Sequence, residues 1–394
     1  MKKHSLLLLL SLSAMLVLGG CGGSEDADAP VRPSDLAQSN DTASTTVQDA
    51  TPTPEATPSD TQEEPKDTPP EEGLVHSPLT NEWIDEALAA QRPIAVMFPI
   101  DRAAQPQYGI GEAGVLYECL EEGGMSRQMG VIQDWQDMET IGNIRSGRDY
   151  YGYWCMEWDA VLVHWGGPYY LCEVTARDDF DYLSAVAVGA NSAIETPALG
   201  AGAFFRWGDN SAPHNGYTSG SKLLNAMNSL EYSVEHTAAT YDPNHFNFVP
   251  MGEVNTLENA DGSFTATEID LTGLFPVTKS SFEYDEATGT YLKYLYGSPQ
   301  IDASTGEQLA FTNIIIQDML WEYREDNKYL KFKTNDSGRI GWYFTQGRGI
   351  QITWTKEDDF SPTRYYDMDG NEIEINAGHT YIGVGQEGCQ PIYN

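Results

Sequence analysis

All 22 tyrosines, 13 phenylalanines and 9 tryptophans of this 394-residue chain lie at or after Trp83. A packed core draws much of its buried area from such side chains, so whatever folds here is built from the 312 residues that begin at Trp83. That length suffices for one large domain or two ordinary ones. Residues 22–75 are the opposite case. They are rich in Ser, Thr, Pro, Ala and acids, with 13 Asp and Glu against Arg32 and Lys66. Such a segment cannot bury enough apolar surface to offset its ordering entropy, and prolines and like charges keep it extended. It reads as a disordered acidic linker.

The first residues explain what a linker would be for. Lys2 and Lys3 precede an apolar run from Leu6 to Leu18, and Leu18-Gly19-Gly20-Cys21 closes it with small residues before a cysteine. The run is too short for a membrane-spanning helix, which needs about 20 apolar residues, and it has the layout of a cleaved export signal. The expectation is a signal peptide over 1–20, a lipid on Cys21 and a tether over 21–75. The protein would then sit on the outer face of the cytoplasmic membrane, exposed to the wall space. An ordinary signal peptide with a chance cysteine is the alternative.

From residue 76 onward there are 46 acids against 18 bases, a net charge of −28. Nucleic acid binding relies on a basic footprint, so it is not expected. Cys119, Cys155, Cys172 and Cys389 lack the paired spacing of a zinc site, and no motif calls for a metal or a cofactor. An exported location permits disulfides, and buried free thiols are the other reading.

Two textures divide the rest. Over 76–272 the patterns alternate: a helix from Thr80 to about Gln91, strand-like runs at Ile94–Phe98, Val115–Tyr117, Met129–Ile132, Ala160–His164 and Leu183–Val188, and helices at about 146–157, 168–176 and from Ser221. This predicts an α/β layered domain. Over 273–394, short runs rich in β-branched and aromatic residues are separated by turn signals such as Asp369-Gly370-Asn371. That half is expected to be mainly antiparallel β. The fold class is α+β, or mixed.

Between His76 and Gly220 all seven basic residues are arginine: 92, 102, 127, 145, 148, 177 and 206. Arginine's planar fork suits bidentate contacts to carboxylate or phosphate. Ion pairs with nearby Glu and Asp would account for the same pattern. Three segments single themselves out. Glu121-Glu122-Gly123-Gly124-Met125-Ser126-Arg127 places flexible glycines before a hydroxyl and an arginine. Arg145-Ser146-Gly147-Arg148 precedes a predicted helix. Phe205-Arg206 and Pro213-His214-Asn215 gather a guanidinium, an imidazole and an amide. His164 ends a strand-like run, where ligands of α/β sheets collect. The candidate ligand-binding residues are therefore Arg127, Arg145, Ser146, Arg148, His164, Arg206, His214 and Asn215. Glu118 and Glu122 are the candidate acid and base.

These segments, in this order, resemble the YerB-type lipoproteins, a family whose domains have no assigned function. The resemblance rests on Arg92-Pro93-Ile94-Ala95-Val96-Met97, Gln105-Pro106-Gln107-Tyr108-Gly109, Glu122 to Arg127, Arg145 to Arg148, His164 with Gly166-Gly167, and Pro213-His214-Asn215. In the second half it rests on Ser298-Pro299, Asp302, Thr305-Gly306, Asn313, Trp354-Thr355-Lys356 and Pro362 to Gly370. It implies a membrane-anchored protein of two domains and supplies no catalytic residues. The family pattern of Met-Ile-Asp-Asn after the first strand is here Met97-Phe98-Pro99-Ile100-Asp101.

The function these readings favour is binding of an anionic small ligand or cell-wall polymer. A wall-directed hydrolase or transferase using His164 or His214 is the first alternative, and a surface scaffold for a partner protein is the second.

Overall fold

The apolar runs of the two textures become neighbouring strands of a single sheet. A computed structural model describes residues 67–237 and 241–394. The expected signal peptide, the lipid site expected at Cys21 and the expected linker up to residue 66 lie outside the described residues.

The first half gives the large sheet β1 (Ile94–Pro99), β2 (Val115–Leu120), β3 (Ser126–Ile132), β4 (Val161–His164) and β5 (Tyr182–Ser184). The second half supplies β6 (Phe264–Thr265), β7 (Ser281–Asp285), β8 (Thr290–Leu295), β9 (Asn313–Met319), β10 (Asp336–Thr345), β11 (Arg348–Lys356), β12 (Arg364–Tyr366) and β13 (Thr380–Gln386). Eleven of them form one sheet in the order β6-β11-β10-β9-β13-β2-β3-β1-β4-β5, with β12 paired to β11. The seam is β13. It runs parallel to β9, with Thr380 opposite Asn313, and parallel to β2, with Thr380 opposite Val115 and Val384 opposite Cys119. β1–β4 and β4–β5 are also parallel, and the remaining pairs are antiparallel. The chain is thus α+β with mostly antiparallel sheets.

Among the described residues four α-helices accompany the sheet: α1 (Glu86–Ala90), α2 (Asp149–Met156), α3 (Cys172–Thr175) and α4 (Gly220–Ser229). β1, β2 and β3 are buried at every position because both faces of the sheet are covered. On one face α2 brings Trp154 parallel to Tyr117, ring centres 5.5 Å apart. On the other, β7 sets Phe282 edge-on to Tyr381 at 4.8 Å. Strands covered on both faces read as continuous apolar runs rather than alternating ones, which is why these were visible in the sequence.

Some local expectations shift. The helix expected from Thr80 to Gln91 is a strand, Trp83–Asp85, followed by the five-residue α1. Trp83–Asp85 pairs with Leu74–His76, so the folded body reaches into the end of the stretch read as linker. All four described cysteines are free thiols, with Cys119, Cys155 and Cys172 buried. Burial pushes the Cys119 and Cys155 thiols well above the usual range. No described helix is long and apolar enough to cross a membrane.

Candidate functional site

The loop between β2 and β3 and the segment that leads into α2 come together, and their arginines converge. Arg127 donates to the Ser146 carbonyl at 2.6 Å and to Glu121 Oε1 at 2.7 Å. Arg148 reaches the other oxygen of the same carboxylate, Glu121 Oε2, at 3.0 Å. It also forks onto Glu122, with Nε at 2.8 Å from Oε1 and Nη2 on Oε2, and gives Nη1 to the Gly147 carbonyl. Glu121 therefore bridges two buried guanidinia. Burial works against the charge on Arg148, but Glu122 and Glu121 outweigh it and hold its proton more tightly than usual. For Arg127 and Arg148 the ion-pair reading of the arginine pattern holds.

Arg145 differs. Among the described residues it has no carboxylate within 4.0 Å, and its buried Nε has no hydrogen-bond partner. Its backbone is fixed at both ends, the N–H to Met97 of β1 and the carbonyl to the Trp165 N–H. Partial burial and the neighbouring Arg127 and Arg148 lower its affinity for a proton, partly offset by Asp101 and Glu121. A guanidinium set among like charges with no anion of its own is an electrostatic deficit that an incoming anion would relieve. Ser146 turns its hydroxyl inward to the Trp165 carbonyl, at 3.2 Å.

His164, at the carboxyl end of β4, is fully buried. Nδ1 meets the Gly166 carbonyl at 2.8 Å, and Nε2 has no partner. With Nδ1 holding the proton for that bond, Nε2 is a buried acceptor without a donor among the described residues. Burial pulls the imidazole down to about 4, so at neutral pH it is uncharged. Gly147 lies against it: a Cβ there would meet Leu171 at 3.0 Å and the His164 ring at 3.6 Å.

The third segment lies on the far side of Trp165. Arg206 lays its guanidinium over the Trp165 ring at 4.0 Å and donates to Asn215 Oδ1 at 2.8 Å. His214 places Nδ1 3.9 Å from Asp101 Oδ2. Trp165 thus joins Arg145 through the backbone to Arg206 through its ring. Asp101 stands between His214 and the arginine cluster. Sequence patterns did not mark either Trp165 or Asp101 as part of the site. The one available signal for Asp101 was its position after β1, where this chain departs from the family pattern.

The two candidate acids part company. Glu122 is part-buried on Arg148. Glu118 is fully buried in β2, its Oε2 3.1 Å from Lys293 Nζ of β8. Ser126 and Ser280 each donate to Oε1 at 2.6 Å, and Gln128 and Tyr381 to Oε2 at 3.1 and 3.0 Å. Burial alone would raise this carboxyl, but Lys293 and the serine hydroxyls hold it below the usual range. Glu118 is spent on joining β2 to Lys293 of β8 and to Ser280. A comparable buried pair, Glu157 with Lys356 at 3.3 Å, lies elsewhere, with Tyr117 and Thr363 completing the carboxylate's bonds. Among the described residues no group of His, Cys, Asp and Glu is arranged to hold a metal.

Comparison with known proteins agrees with this architecture. Residues 79–233 match the family model described as "Protein of unknown function (DUF3048) N-terminal domain", and residues 271–382 match its C-terminal domain. The Bacillus subtilis (strain 168) protein named "Putative lipoprotein YerB" is 23% identical over 311 residues, 79% of this chain and 86% of that protein. The crystal structure of YerB from Bacillus subtilis superposes with a TM-score of 0.63 at 22% identity, covering 79% of this chain and 96% of that one.

Proposed function

The chain belongs to the DUF3048 family, and on that footing we propose that it is a membrane-anchored lipoprotein that binds an anionic ligand of the cell envelope at Arg145. The relative's name supports the lipoprotein part, as do the lipobox ending at Cys21 and the acidic linker behind it. The outer face of the cytoplasmic membrane is the side that an exported, lipid-tethered chain occupies. Exchanging Cys21→Ser should move the protein from the membrane fraction to the soluble fraction. Its retention in membranes would reject the anchor.

The observation that carries the binding reading is the unpaired Arg145 guanidinium between Arg127 and Arg148, both already neutralised by Glu121 and Glu122. Those pairs hold the cluster rigid, and Arg145 is left as the charge that a phosphate or carboxylate would meet. With a body of net charge −28, an anion would be admitted where a cation has no carboxylate of its own, as at Arg145. Calorimetric titration of the full chain with a glycerol phosphate polymer tests this. Arg145→Ala should weaken binding roughly ten- to a hundredfold, the worth of a hydrogen bond to a charged group. Equal affinity for both proteins would reject the site.

A further inference from the structure

The loop that follows Phe205–Arg206, beyond the stack of Arg206 on Trp165, carries its own signal. Of the nine tryptophans, Trp207 alone is exposed, at 48%. It does not belong to an apolar patch, because Arg206, Gly208, Asp209, Asn210 and Ser211 around it are all exposed and polar or small. A single large ring among hydrogen-bonding groups is poorly suited to burying a protein interface, whose centre is contiguous and apolar.

The ring is nevertheless held still. Tyr108 meets it edge-on at 5.4 Å and 67°, and Tyr217 at 5.3 Å and 80°. Tyr217 lies in a short strand, Gly216–Thr218, pinned between Phe205–Arg206 and Ile141–Gly142. Edge-on contacts anchor Trp207 while half of its surface stays in water. Tyr108 in turn lines a cleft of about 390 Å³ whose wall includes Glu112, Glu139, Thr140 and Ser304. That volume falls in the roughly 300–1,000 Å³ range of small-molecule sites. The arrangement sets aromatic surface beside carboxylate and hydroxyl groups that accept and donate hydrogen bonds.

We propose that Trp207, Tyr108 and this cleft form a binding site for a chain of pyranose sugars. The electron-rich face of an indole attracts the weakly positive C–H face of a sugar ring, and the ring's hydroxyls would find acceptors in Glu112 and Glu139 and partners in Thr140 and Ser304. The site is separate from Arg145 and stands whether or not an anion binds there. An envelope-tethered protein would use it to hold wall glycan.

The test is titration of the full chain, purified in detergent, with the tetramer of N-acetylglucosamine, followed by calorimetry and tryptophan fluorescence. Saturable binding with a blue-shifted emission is expected. Trp207→Ala should weaken it at least tenfold, Trp207→Phe less, and Arg145→Ala not at all. Because Trp207 is half exposed, its removal should leave the near-ultraviolet dichroism of the core intact, which separates lost binding from lost folding. Absence of saturable binding by the unaltered chain, or equal affinity with Trp207→Ala, overturns the proposal.

Discussion

Glu118 and Lys293 are both fully buried, and neither has water to fall back on. Taking one partner away leaves the other charge stranded, which typically costs 3–5 kcal/mol, whereas replacing both by apolar groups of similar volume is often neutral. Glu118→Gln should therefore lower the unfolding free energy in urea by about 3–5 kcal/mol. Glu118→Leu combined with Lys293→Met should cost less than Glu118→Gln alone. A double variant no more stable than the single one would show that the hydroxyl network, rather than the charge pair, is what matters. His164 makes a prediction in pH. Its folded-state value near 4 lies below the unfolded value of about 6.5, so between those limits the unfolded chain binds the extra proton. Stability from this group is complete above about pH 6.5 and falls as pH drops toward 4, by roughly 3 kcal/mol at most. His245, also buried and held low, acts in the same direction, so the readout is the difference in slope between the unaltered protein and His164→Gln. Identical slopes would mean that His164 reaches solvent. At this scale the sequence was a partial guide. The arginine-only stretch marked residues that the fold brings together, but it did not show that Arg127 and Arg148 share Glu121 while Arg145 has no carboxylate. Such a contact is set by where the β2–β3 loop meets the segment before α2, and no local pattern encodes it. Asp101 and Trp165 enter for the same reason.

Elements were far more legible than their pairing. β1, β2, β3 and β4 stood out as apolar runs because both faces of the sheet are covered. β9 to β13 stood out through β-branched and aromatic residues between turn signals. α2, α3 and α4 fall where helices were expected. The failure at Thr80–Gln91 is instructive: Trp83–Asp85 extends to pair with Leu74–His76, a partner lying in a stretch whose composition argued for linker. Tertiary pairing overrode local helix preference. The short strand Gly216–Thr218 shows how little an element needs if its neighbours fit. Gly216 lies so close to Trp165 that a Cβ would come within 2.4 Å of the ring. Gly216→Ala must push Trp165 aside, and with it the guanidinium of Arg206 stacked on its face. Overpacking of this kind costs about 1–3 kcal/mol, so the melting temperature should fall. An unchanged melting curve would mean that the loop carrying Trp165 yields freely, and the link between Arg145 and Arg206 would be lost as a rigid element.

For the whole molecule, the decisive fact is that β13, from the far end of the chain, inserts beside β2 from the first half. The two family matches, 79–233 and 271–382, cover separate stretches of the sequence, yet the sheet is continuous across them. Parallel pairing of strands more than 260 residues apart has no sequence signature, because either strand would read identically beside any other apolar neighbour. It does have a consequence for fragments. A chain ending at residue 272 would keep β1, β2, β3, β4 and β5 but leave β2 as an edge. Val115 to Cys119 would lose their ladder partner, and Glu118 would be uncovered beside it. A long, flat, apolar edge is a template for aggregation, and Glu118 would have lost Lys293, Ser280 and Tyr381 together. Residues 67–272 produced alone should therefore collect as insoluble or oligomeric material. The body 67–394 should elute as a single species and unfold in one transition, with calorimetric and van't Hoff enthalpies equal. A monomeric 67–272 fragment with dispersed amide resonances would show that the seam is a contact between two self-sufficient folds. Folding of the two halves would then be independent rather than coupled through β13.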